Sequence, residues 1–190
     1  MVVSLFYHHG TTWSSLGLHH FWLNKGSGTS RKIHPIHSIV RDIGLDVIKY
    51  LPAAHALTGA DTTSKVGTKH SLMSKTDKFE LLEGFGMSEL TEEMFQRVEE
   101  FLVKCISNSK STIVCKNFDE LRITAYNTYS NGLDLQKMPC TSAALREHIK
   151  RSYLQANMWI SATLPTREIL NHVELYAWNC SESGRFFFLW

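Results

Sequence analysis

Acidic residues are scarce at the front of this chain. Before Asp61 the only carboxylates are Asp42 and Asp46, so the opening strand cannot carry an acidic cluster at its end. Cysteine is sparse as well. The four, Cys105, Cys115, Cys140 and Cys180, include no CxxC pair. That spacing leaves reduced thiols as the expectation. No run approaches the roughly 18 apolar residues needed to cross a bilayer. The opening "MVVSLFYHHG" has no basic segment ahead of its short apolar run, so it does not read as a secretory signal. The expectation is an intracellular protein, nuclear or cytoplasmic, with no membrane partner. Net charge is only +2, so any basic surface must be local. There is no Walker loop, no GxGxxG, no GxSxG elbow and no visible repeat.

What is present suits a globular protein. The chain has 190 residues, 43% hydrophobic and 20% charged, enough to bury a sizeable core. "VVSLFYH", "GLHHFWLN" and "RKIHPI" are β-branched or aromatic and read as short strands, with Pro35 pushing the third to an edge or an end. The pattern then turns helical. "HSIVRDIG" predicts a helix closed by Gly44, and Pro52 starts another within "LDVIKYLPAAHALTG". "KHSLMSK" and "DKFELLEGFG" predict two short helices. "LTEEMFQRVEEFLVKCI" predicts a helix capped by Thr91, with Met94, Phe95, Val98, Phe101, Leu102 and Cys105 on one face. "NFDELRITAYNTYSNG" has Asn117 and Glu120 at capping-box spacing and Gly132 as a stop. "TSAALREHIKRSYLQANMWISATL" predicts a long helix capped by Thr141, and the tail after Pro165 reads as irregular. The fold class is α/β: short N-terminal strands, then a mainly α-helical C-terminal part.

The stretch that carries chemistry is "HALTGADTTSKVGTKHS". Asp61 follows a helix-like run and sits at a turn, where a carboxylate can hold a hard cation such as Mg²⁺. Gly67, Thr68 and Lys69 then form a Gly-containing loop before a predicted helix. Such a loop exposes backbone N–H groups to a phosphate, and Lys69 adds a point charge. An Asx turn or a helix cap explains Asp61 equally simply. In the long helix, Arg146, Lys150 and Tyr153 recur at i, i+4 and i+7, a basic stripe that suits a phosphate backbone. Glu147 and Arg151, also at i and i+4, give an ordinary solvated face. Seven of the ten histidines precede residue 60. Adjacent strand residues point to opposite faces, so His8/His9 and His19/His20 cannot each chelate as a pair.

The stretch "GADTTSKVGTK" resembles the "GxD…GxGxK" segment of PIN-like and flap-endonuclease-like nucleases. It is more similar to a large, transposon-derived animal family with a degenerate PIN-like domain, whose members read "LPxLHALTGCDTTS…GKGK". This chain reads "LPAAHALTGADTTSKVGTKHS". "NFDELR" resembles that family's "VNELR", "MPCTSAALREHIKRSYLQANMW" its "LPPTxxALxxHxxRAxYQAxxW", and "ELYAWN" its "xxYGW". The departures are Ala60 where Cys is usual, a "GKGK" reduced to Gly67 and Lys69, and Cys140 in place of the second Pro. The family's first strand enters as "DTDVLVLL", whereas this chain opens "MVVSLFYHH", as though it began after those two acids. The resemblance implies a partial PIN-like domain over 1–110, with a truncated sheet, the Asp61 motif and a helical hairpin. Residues 111–190 would form a helical C-terminal extension.

By that resemblance Asp61 is a catalytic metal ligand for Mg²⁺. Gly67, Thr68 and Lys69, with Arg146 and Lys150, would contact DNA or RNA. Hydrolysis of this class needs several carboxylates to hold two divalent ions about 4 Å apart. One acid does not supply them. The sequence therefore predicts the remnant of a metal-dependent nuclease domain, catalytically incomplete as written. A non-catalytic nucleic-acid-binding or protein-interaction module is the alternative.

Overall fold

The computed structural model describes residues 13, 15–60, 62–67, 75–107, 114–128 and 138–162, together with the backbone of 178–180 and 186–188. Its content is mixed and mostly helical. The expected opening strand, the "KHSLMSK" helix and the Gly132 stop lie outside the described residues.

Strands β1 (Trp22–Lys25) and β2 (Lys32–Pro35) form an antiparallel hairpin, in register from Trp22↔Pro35 to Lys25↔Lys32. Only the second half of "GLHHFWLN" is strand. Pro35 takes the last position of β2, where its missing N–H costs the ladder least. The hairpin loop is tied by Ser30 Oγ donating to Ser27 O at 2.7 Å and Arg31 Nε donating to Asn24 Oδ1 at 2.9 Å. Three short helices follow: α1 (Ile36–Ile43), α2 (Leu45–Ile48) and α3 (Leu51–Leu57). Gly44 closes α1, and Pro52 lies in the first turn of α3, where no intrahelical donor is lost. Ile36, Val40 and Ile48 are buried together against Phe21, Leu23, Ile39 and Leu51, which fastens the hairpin to these helices.

The segment "DKFELLEGFG" winds as a 3₁₀ turn (Thr76–Leu82) rather than an α-helix. Helix α4 (Glu92–Ile106) is capped by Thr91, whose Oγ1 accepts from Met94 N at 3.3 Å. Each of its predicted inward residues is buried. Helix α5 (Phe118–Thr128) shows half of the expected box. Asn117 Oδ1 accepts from Glu120 N at 2.9 Å, but the Glu120 carboxylate accepts from Lys116 N at 2.7 Å, one residue early. Helix α6 (Ser142–Ile160) is capped by Thr141, whose Oγ1 accepts from Ala144 N at 3.2 Å. In the tail, β3 (Trp178–Cys180) and β4 (Phe186–Phe188) pair antiparallel, so a stretch expected to be irregular contains a ladder.

The main core joins Leu57, Phe79, Leu82, Val98, Phe101, Phe118, Leu145, Ile149 and Ala156. It runs across residue 110, the boundary expected between the PIN-like part and its extension. Burial of each of these side chains larger than alanine contributes roughly 1.5–3 kcal/mol. Close approach to α6 requires a glycine at position 86. A Cβ there would stand 3.0 Å from Ala156 Cβ, and φ is +84°. Cys105, Cys115 and Cys140 are free thiols. Among the described residues no helix is long and apolar enough to cross a membrane.

Candidate functional site

The described residues on either side of Asp61, Ala60 and Thr62–Ser64, lie where the end of α3 meets the middle of α6. Gly59 breaks the helix at φ +105°, and a Cβ on it would fall 2.9 Å from Lys65 Cα. The chain then folds back on itself. Ala60 and Thr63 form an isolated antiparallel bridge, in which Ala60 N donates to Thr63 Oγ1 at 2.8 Å and Thr63 N to Ala60 O at 3.2 Å. Thr63 Oγ1 also donates to Ala56 O at 2.8 Å. A single threonine thus ties both limbs of the turn to the last turn of α3.

Helix α6 supplies the other half of the clamp. His148, only 2% exposed, lies beside Leu57 and Ser64. Its Nε2 is 2.9 Å from Leu57 O. A carbonyl can only accept, so Nε2 carries the hydrogen. Nδ1 is then the acceptor for Ser64 Oγ at 3.3 Å. Ser152, one turn on, is fully buried and donates to Ala56 O at 3.2 Å. Thr62 Oγ1 bonds Gln155 Oε1, and the His55 ring stacks on Trp159 with centroids 5.2 Å apart. The buried Leu57 carbonyl takes its hydrogen bond from α6, and the Ala56 carbonyl takes one there in addition to that from Thr63. Burial pushes the His148 imidazole down to about pKa 4, so it is neutral at physiological pH.

Chemically, Ser64 beside His148 has the outline of a nucleophile and its base. A base whose conjugate acid has a pKa near 4 takes little of a serine proton at neutral pH. The arrangement is built to hold a turn.

The structure brings together only some of the predicted site residues. Asp61 falls in the sequence between the bridged Ala60 and Thr63, but Asp61, Thr68 and Lys69 lie outside the described residues. Gly67 sits in a bend at φ +69°. Asp42 and Asp46, the earlier acids, are both exposed, one on α1 and one on α2. Among the described residues no three His, Cys, Asp or Glu side chains form a group that could hold a metal.

The basic stripe is already engaged. Arg146 grips Glu92 through both guanidinium nitrogens, at 2.9 and 2.6 Å, and lies 3.9 Å over the Phe95 ring. This pairing pulls the Glu92 carboxyl below its usual range and raises Arg146. Lys150 donates to Glu147 Oε1 at 2.7 Å. Tyr153, the expected aromatic of the stripe, is buried, with its hydroxyl on Ser88 O. The shallow cleft beside Arg146, between α4 and α6, also contains Glu92 and Glu99. A phosphate entering it would meet two carboxylates.

His148, Ser152 and Gln155 are the site residues that pattern reading missed. Their i, i+4, i+7 spacing on α6 was a usable signal, since three polar groups on one helical face need partners if that face is inward. No protein-family model matches the chain, and no curated protein or solved structure does either.

Proposed function

We propose that this chain is a degenerate PIN-like nuclease domain, in which the Asp61 loop serves as a docked structural element and does not support two-metal phosphodiester cleavage. One observation carries the reading. The two segments most similar to the transposon-derived family, 51–64 and 138–159, are the two that lock together through His148, Ser152 and Gln155. A motif pair kept for mutual packing outlasts the chemistry it once supported. Magnesium would be the metal, with Asp61 as its carboxylate. A lone carboxylate binds Mg²⁺ weakly, because that ion keeps most of its water unless several rigid oxygens replace it. The earlier acids, Asp42 and Asp46, are exposed on helices rather than drawn inward.

The partner class on this reading is DNA or RNA, held without turnover. The scarcity of acid in the N-terminal part favours the non-catalytic binding alternative, since a polyanion is not repelled there.

The test is to supply Mg²⁺ or Mn²⁺ with single-stranded and flap-bearing DNA or RNA and follow cleavage. Wild type and Asp61→Ala should be equally inactive. Metal-dependent cleavage by wild type that Asp61→Ala abolishes would overturn the reading.

A further inference from the structure

Two histidines meet at the root of the hairpin, one from each of the segments that flank it. His20 stands just ahead of β1, and His37 lies in the first turn of α1. Their ring centroids are 4.8 Å apart, at an interplanar angle of 80°. Two imidazoles on one tetrahedral zinc ion, each nitrogen about 2.0–2.1 Å from the metal, set their ring centroids about 5 Å apart. The pair already stands at the spacing that one shared ion requires. His20 is exposed, so rotation about its side-chain bonds aims a ring nitrogen at that ion.

His37 is prepared for the same role. Its Nδ1 lies 3.2 Å from Phe21 O and 3.3 Å from Phe21 N. With a hydrogen on Nδ1 the ring donates to the carbonyl, and without one it accepts from the amide. Either tautomer keeps a backbone partner, and the first leaves the Nε2 lone pair open. A backbone carbonyl that accepts from the second ring nitrogen is the usual outer support of a metal-bound imidazole. Among the described residues no hydrogen bond engages Nε2 or the His20 ring. The Trp22 indole packs edge-on against the His37 ring, with centroids 5.2 Å apart, and limits its swing. No third His, Cys, Asp or Glu among the described residues joins the pair, so water takes the remaining positions. Imidazole nitrogens favour zinc, copper and nickel ions over magnesium.

We propose that His20 and His37 form a surface bis-imidazole site for an imidazole-preferring divalent ion such as Zn²⁺, which staples the entry of β1 to α1. The hairpin is otherwise fastened by the small cluster around Ile36, Val40 and Ile48. An ion bound only by the folded arrangement stabilises it in step with occupancy. The site is separate from the Asp61 loop, and the inference stands whether or not the chain ever cleaves nucleic acid.

The test is isothermal titration calorimetry of the full chain with Zn²⁺ in a buffer that does not coordinate metal. His20→Gln and His37→Gln should each weaken binding at least about tenfold, since losing a ligand costs more than losing its outer support. His20→Gln is the decisive variant, because that side chain is exposed and outside both core clusters. His19→Gln and Asp61→Ala should leave Zn²⁺ binding unchanged. Zn²⁺ should raise the thermal midpoint of the wild type and not that of His20→Gln, and Mg²⁺ should raise neither. Circular dichroism checks that each variant is folded. The proposal is overturned if Zn²⁺ does not bind or if His20→Gln binds it like wild type. It is equally overturned if the loss follows His19→Gln or Asp61→Ala instead, or if Mg²⁺ competes as well as Zn²⁺.

Discussion

The His148 imidazole is the residue on which the site's stability turns. Its pKa is 6.5 in the unfolded chain and about 4 in the fold, because burial removes the water that would stabilise the cation. Between those values the unfolded chain takes up a proton that the folded chain refuses. The contribution is therefore complete above pH 6.5 and is lost as pH falls towards 4. We expect stability to drop by about 2 kcal/mol from pH 7 to pH 5 on this account. Urea denaturation at the two pH values measures it. In His148→Gln, which cannot titrate, that part of the slope should vanish. A slope unchanged in the variant would place the proton uptake elsewhere. Nothing in the residues adjoining His148 signals this, since its partners Leu57 and Ser64 lie 91 and 84 positions away.

Helices were the readable elements. For α4 and α6, a threonine ahead of an apolar-periodic run fixed the start, and for α4 the inward face as well, since a cap is satisfied by the three residues that follow it. Thr141→Ala should cost about 1 kcal/mol in thermal or urea unfolding, and Thr141→Ser almost nothing. An equal loss in both variants would mean that the methyl group matters and the oxygen does not. The exposed Arg146–Glu92 pair adds little by comparison. Strands were harder. "GLHHFWLN" predicted a strand twice as long as β1, and the tail's β3–β4 ladder gave no clear alternation. Short strands take their existence from partners, which composition does not name. The 3₁₀ winding of Thr76–Leu82 likewise depends on Phe79 and Leu82 both turning inward.

Across the molecule, one core crosses the expected boundary at residue 110. Leu57, Phe79 and Phe101 bury against Phe118, Leu145, Ile149 and Ala156. A fragment ending at residue 113 would expose the first set to water. It should show no cooperative thermal transition, while the full chain should show one. A cooperative transition in the fragment would show that the residues before 114 fold as a unit of their own.

By itself the sequence determined the starts and threonine caps of α4 and α6, the inward face of α4, and the poverty of carboxylates before Asp61. Each of these is settled within a few residues by hydrogen bonds, side-chain spacing or simple count. Tertiary structure alone decided that Leu57, Thr62 and Ser64 are clamped to α6, that Arg146 and Lys150 already hold acidic partners, and that Trp22 is largely exposed. Those outcomes depend on which distant groups share a buried space or an ion pair, and local sequence does not encode that proximity.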